Sequence, residues 1–306
     1  MGRSTRAGVA PALVRVLAAV LAAVLAAVLA GCGSPVPTDP LEPSGAGSRA
    51  DGEAGSSPVG RGPASCPGPD GWTLEDPRIT ESSGLALSHL HPGVLYTHND
   101  RGNAPSLFAV DASGTRAVLD LAVPALDWED VATTPDGRIW VGDIGDNDEV
   151  RDTVSVTVVD EPEVLVSSSL PSTTYELRYE DGPHDAESLL VDPRDDRVWV
   201  VTKDEQVGRS YVAPFRLDPD RVNVLRFVAE APSGVSGGDF SPDGRTIVLR
   251  TQARAFFGPG FRGAGAAVDL PRQRQGEAVT FTADGRRVLL GSEGADSEIL
   301  CVRVPG

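Results

Sequence analysis

Carboxylates at close spacing are the first feature that could do chemistry. "GDIGDNDE", residues 142–149, places Asp143, Asp146, Asp148 and Glu149 within eight positions, and the first basic side chain after them is Arg151. Comparable groups recur along the chain in "HNDRGN" (98–103), "DWED" (127–130), "PHDAE" (183–187), "TKDE" (202–205) and "GEAV" (276–279). Two carboxylates ~4 Å apart repel by about 4 kcal/mol at an effective dielectric near 20, so a gathered set needs protonation, a basic partner, wide exposure or a bound cation. Hard oxygen donors suit Ca²⁺, which takes six to eight oxygens in flexible geometry. The metal ligands expected on this basis are Glu129, Asp143, Asp146, Asn147 and Glu187. Asn99, Asp100, Arg101, Asp130, Asp185, Lys203, Asp204 and Glu277 are the expected ligand-binding set around them. His98 and His184 are the candidate general bases. The spacing in "DIGDND" is not that of an EF-hand loop. For Glu129, Glu187 and Glu277 a purely architectural role, accepting backbone N–H groups from a neighbouring sheet, is an equally open reading.

Something must bring residues so far apart in sequence together, and the internal repeats supply it. Five segments share one pattern of apolar strand, tight turn and second strand: 83–100, 129–147, 187–204, 236–252 and 277–294. Their turns are "HPG", "PDG", "PRDD", "PDG" and "ADG", residue types that tolerate positive φ. The starts are 46, 58, 49 and 41 residues apart, which is the length of a four-stranded propeller blade. No long segment has helical apolar spacing, so the domain is expected to be all-β: a propeller of five blades, with six as the alternative because "ARAFFGPGFRGAGAAVDLPRQ" is irregular. The last repeat is one strand short, and "GWTLEDPRIT" (71–80) is the segment available to complete it. Trp140, Trp199 and Tyr96 fall at one repeat position and read as packing between sheets. Strand starts and second-to-third loops converge on one face of such a ring, which puts the acids on one channel mouth.

Two further patterns are set aside. Gly234, Ser236 and Gly238 spell G-x-S-x-G without the helix a nucleophile elbow needs, and Gly258, Gly260 and Gly263 spell G-x-G-x-x-G without a following helix or acidic partner.

The ends of the chain indicate its compartment. Arg3, Arg6 and Arg15 precede an apolar run from Val16 to Ala30 that ends in "LAGC", residues 29–32. The run is shorter than the ~20 residues of a spanning helix, and it reads as a lipoprotein signal peptide over 1–31 with Cys32 as the lipidated residue. A leader cleaved without lipid is the alternative. Residues 32–65 are rich in Gly, Ser, Pro and Ala and read as a tether holding the domain, 66–306, on the order of 30 Å from the outer surface of the cell membrane. Cys66 and Cys301 then remain as a pair outside the cytoplasm, a disulfide across the ring closure or two unrelated thiols.

The formal charge is −17 and Lys203 is the lone lysine, so nucleic acid is excluded as a partner. A small cationic or polyhydroxylated ligand or a protein fits better, bound by a monomer.

The segments "SGLA", "HPGVLYTHNDRGN", "LFAVD", "DWED", "VGDIGDN" and "GPHDAESLLVDP" together resemble a family of secreted or lipid-anchored propeller proteins of high-GC Gram-positive bacteria, loosely labelled WD40-like or esterase-like phytase proteins. The resemblance covers most of residues 72–304 and implies the fold and the extracytoplasmic compartment. It supplies no catalytic set. Two functions follow as expectations: a ligand-binding or sensory module with a Ca²⁺-holding mouth, or a metal-dependent hydrolase of phosphoesters or lactones.

Overall fold

In each repeat the tight turn holds a residue at positive φ: Gly93 (85°), Gly137 (82°), Asp196 (59°), Gly244 (66°) and Gly285 (65°). These turns join strands whose inward positions are almost wholly apolar. The computed structural model describes Cys66, residues 71–262 and residues 265–306. The signal segment, Cys32 and the tether lie outside the described residues.

All regular structure in the described residues is β. Strand β1 (Trp72–Thr73) comes first; β2 (Ser82–Leu87), β3 (Leu95–Asn99), β4 (Ser106–Asp111) and β5 (Gly114–Leu121) form the first antiparallel unit. The second unit contains β6 (Trp128–Thr134), β7 (Arg138–Asp143), β8 (Val154–Asp160) and β10 (Thr173–Tyr179), with the short β9 (Ser168–Leu170) between the last two. The third contains β11 (Ala186–Val191), β12 (Val198–Thr202), β13 (Gly208–Val212) and β14 (Asn223–Ala231), and the fourth β15 (Gly237–Phe240), β16 (Ile247–Arg250), β17 (Arg254–Gly258) and β18 (Ala266–Asp269). The stretch expected to be irregular thus supplies an ordinary outer pair, β17 and β18. Strands β19 (Gly276–Phe281), β20 (Arg287–Ser292) and β21 (Glu298–Arg303) make the last unit, completed by β1 pairing antiparallel with β21.

The innermost strands adjoin in cyclic order, β2 beside β6, then β11, β15, β19 and back to β2. This is a β-propeller. Hydrophobic clusters fill the spaces between successive sheets. Two parallel pairings also stitch outer edges of neighbouring units together, β5 to β9 and β10 to β14, and nothing in the repeats signals either. Cys66 and Cys301 are disulfide-bonded with Cα atoms 5.8 Å apart, so the bridge fastens the segment that completes the last sheet.

Register defines equivalent positions. Tyr96, Trp140, Trp199, Val248 and Leu289 lie opposite Ala86, Ala132, Leu190, Asp239 and Thr280 on the inner strands. Tyr96 and Trp140 are buried, and Trp199 is partly covered by the stacked ring of Phe261, 4.4 Å away. Counting back from the inner partners, Ser83, Glu129, Glu187, Ser236 and Glu277 form one tier. Pairing slips at the start of four inner strands, between Ser82 and Leu85, Trp128 and Asp130, Ala186 and Ser188, and Gly276 and Val279. Ser83, Glu129, Glu187 and Glu277 are therefore bulge residues. A bulge re-aims its side chain out of the ladder, which sends these groups to the channel mouth instead of into the sheet interface.

Candidate metal centre at the channel mouth

Two tiers of equivalent positions supply this end of the channel, the bulge tier and the tier two residues before it (Glu81, Asp127, Asp185, Gly234, Gln275), and residues directly after the second strands add Asp100, Lys203 and Glu293. Asp100, Asp127 and Glu129 each bring one carboxylate oxygen to within 4.8 Å of the others. Asp100 directly follows β3, and Asp127 and Glu129 flank Trp128 at the start of β6 in the next unit. Glu129 is 4% exposed, and the charges that act most strongly on it are other carboxylates, Glu187, Asp100, Asp127 and Asp185. Burial, reinforced by those neighbours, holds its pKa far above the ordinary carboxylate range. Burial also pushes Asp127 up to about 6 and raises Asp100.

Two buried oxygens beside Glu129 have no hydrogen-bond partner, Asp127 Oδ1 and Glu187 Oε2. Gly145 lets the Glu129 and Asp127 carboxylates approach the loop closely: a Cβ there would stand 2.7 Å from Asp127 Cγ and would run into the Glu129 carboxylate. A buried oxygen without a partner on Asp127, a second on the neighbouring Glu187 and an all-oxygen donor set fit a hard divalent cation.

The opposite side of the mouth is organised differently. Lys203 Nζ is ion-paired with Glu187 and feels Glu277 and Glu129 as well, and these carboxylates raise its pKa against the lowering effect of burial. Gln275 donates its side-chain N–H groups to Glu277 Oε1 (3.3 Å) and to Glu293. Ser83 Oγ lies 3.4 Å from Glu277 Oε2. Burial and the adjacent Glu277 hold the Glu293 pKa high.

The structure separates the expected residues. Asp100, Asp185, Lys203, Glu129, Glu187 and Glu277 meet at the mouth, with Arg101 exposed beside Asp100. Asn99 and Asp143 do not join the cluster. They occupy one repeat position, and both tie down the segment that precedes an inner strand: Asn99 Oδ1 accepts Thr80 N and Glu81 N, and Asp143 accepts Leu126 N (2.8 Å) and Asp127 N (3.3 Å). Asp146 accepts Arg151 N at 2.7 Å, and Asn147 is exposed outside the cluster. The charge of "GDIGDNDE" is offset by Arg151, whose guanidinium binds Gly145 O (2.6 Å) and Asp143 Oδ1 (2.7 Å) and folds the loop against the rim. Asp130 is 1% exposed and faces the next unit, where its Oδ2 accepts Leu189 N at 3.0 Å. The architectural role left open for Glu129 thus belongs to its neighbour. Asp204 caps its own loop by accepting Gln206 N and Val207 N.

Neither histidine faces the cluster. His98 has no exposed surface, its Nδ1 contacts Asn99 O at 3.0 Å, and burial pushes its pKa down to about 4. It shares a repeat position with Arg250 and fills the space left by Gly84, where a Cβ would stand 2.5 Å from His98 Nε2, and that nitrogen is buried without a hydrogen-bond partner. His184 lies between the second and third units, 2.8 Å from the Tyr211 hydroxyl and 3.1 Å from Asp181 Oδ1. Asp127 was not among the expected ligands. Its signal in the sequence is the two-residue spacing to Glu129.

No family model matches the sequence, and no curated protein matches it. Among solved structures the chain is similar to hydrazine synthase of Kuenenia stuttgartiensis, with 18% identity over 70% of this chain and 56% of that one and a TM-score of 0.42. It thus spans little more than half the length of that protein. It is also similar to a gluconolactonase of Xanthomonas campestris, with 16% identity over 81% of this chain and 99% of that one and a TM-score of 0.43.

Proposed function

We propose that this protein is a lipid-anchored, extracytoplasmic β-propeller that binds Ca²⁺ through Asp100, Asp127 and Glu129 and uses the loaded mouth as a ligand-binding or sensory module. The observation that carries the reading is the carboxylate cluster around Glu129, none of whose three members forms an ion pair with a basic side chain: buried like charges are costly, and a cation would relieve that cost. Lys203, held at the mouth by Glu187, adds a donor beside the cation, and a small polyhydroxylated molecule matches such a mixture of carboxylates, amide and ammonium. The proposed anchor is Cys32, as the signal segment and the tether indicate.

The chelated protein should gain thermal stability on addition of Ca²⁺, and elemental measurement should find about one ion per chain. No thermal shift together with no bound metal would leave only a scaffold role. Hydrolysis is the second reading, and one feature favours it: Asp127 Oδ1 is free of partners and the carboxyl titrates near 6, which suits a general base. A panel of lactones and phosphoesters tests it, with Asp127→Asn expected to abolish any turnover found while the protein stays folded.

A further inference from the structure

The other end of the channel carries chemistry that the acidic mouth does not use. One residue beyond the register positions, Leu87, Thr133, Val191, Phe240 and Phe281 are equivalent, and all five line a hollow of about 190 Å³ among the tight turns. Apolar cavities of about 150 Å³ admit a benzene ring. The walls are mostly aliphatic, aromatic and proline side chains, with Ser88, His89, Thr133 and Thr280 among them, and the lining contains a single carboxylate, Asp239. Backbone and hydroxyl donors hold that carboxylate in place, Phe240 N to Oδ1 (2.8 Å) and Thr280 Oγ1 (2.9 Å) and Phe281 N (2.8 Å) to Oδ2. No basic residue contributes to its environment, and burial pushes its pKa up to about 7. The one other titratable group in the lining, His89, has its pKa lowered by burial, so it supplies no counter-charge at neutral pH.

We infer that this hollow is a second binding site, for a compact organic ammonium whose apolar body fills the ring of five side chains and whose charged nitrogen meets Asp239. The carboxylate is pre-oriented by three donors, so binding does not have to order it. A charge-assisted N–H···O bond inside an apolar cup is also stronger than one in open water. A neutral ligand of the same size fills the cup and leaves the carboxylate without a counter-charge, so the site selects charge as well as shape.

The test uses benzylamine and its neutral counterpart benzyl alcohol, titrated calorimetrically at pH 7.5 into the full-length protein. Benzylamine is expected to bind at least tenfold tighter. Asp239→Asn should remove that preference. Ala283→Trp, on an exposed turn residue at the rim of the hollow, should block both compounds while leaving the melting temperature within a few degrees of the parent. Equal affinity for the two compounds, a preference that survives in Asp239→Asn, or benzylamine binding undiminished in Ala283→Trp would each overturn the inference.

Discussion

The two ends of the channel are built from the same five strands, yet one is dominated by carboxylates and the other by apolar side chains. The bulge tier reads Ser83, Glu129, Glu187, Ser236 and Glu277, whereas the tier four positions further along reads Leu87, Thr133, Val191, Phe240 and Phe281. The backbone repeats at both ends, and the difference lies in how local geometry aims the side chains. At the mouth a bulge frees the side chain from the sheet interface, so a charged group can remain near water or a cation. At the cup the ladder is regular and the facing positions must pack. Where a carboxyl does penetrate, backbone donors fix its position, as at Asp130 and Asp239.

The largest expected effect comes from the buried cation behind the mouth. Arg250 has no exposed surface, donates to Ala278 O (2.7 Å), Gly291 O (2.8 Å) and Gln273 Oε1 (3.0 Å), and lies near Glu277. Arg250→Met leaves those acceptors unpaired and should lower unfolding stability by roughly 3 to 5 kcal/mol in urea denaturation. A loss below ~1 kcal/mol would mean that the mouth does not depend on its buried support.

Asp239 gives the next effect, at the cup. Its folded-state pKa, about 7, lies above the unfolded value of 3.8. The unfolded chain therefore ionises first, and stability falls as pH rises from about 4 to about 7, by a few kcal/mol at most. The loss should be absent in Asp239→Asn, as measured by denaturation across that range. An unchanged profile would place the titration elsewhere.

Both ends depend equally on ring closure. Cys301→Ser should cost about 2 to 4 kcal/mol by removing the Cys66 bridge, without altering the selectivity of either end. The smallest stability change belongs to the mouth itself. Glu129→Gln should stabilise the chelated protein by about 1 kcal/mol, because it removes a buried carboxyl that forms no ion pair and sits among other carboxylates. A clear destabilisation would show that Glu129 holds the fold together.

Much of this contrast was legible in the sequence. The Asp-Gly turns and the apolar alternation around Trp140, Trp199 and Tyr96 revealed the repeats, because turn chemistry and period-two patterning are local. The unpaired last repeat and the two cysteines revealed the closure for the same reason. The gathering of acids followed once the repeats were aligned. What failed was the sorting of adjacent acids. Glu129 and Asp130, or Asp143 and Asp146, look alike in sequence, but a bulge and the direction of a loop send one to the channel and its neighbour to a backbone donor. The histidines misled because a rare residue type suggests chemistry, whereas His98 fills the same inter-sheet position as Arg250. Phe240, Phe281 and Asp239 gave no signal of the cup, since apolar strand residues read as core until the hollow between them is seen.

The central claim is that the clustered carboxylates Asp100, Asp127 and Glu129 at the mouth are a cation site. Calcium titrated calorimetrically into chelator-treated protein, with Gly145→Ala in parallel, tests it most directly. The account predicts one ion per chain with proton release in the parent, and no binding in Gly145→Ala, whose added methyl displaces Asp127 and Glu129 while the fold persists. An absence of binding in the parent, or equal affinity in the two proteins, would contradict it.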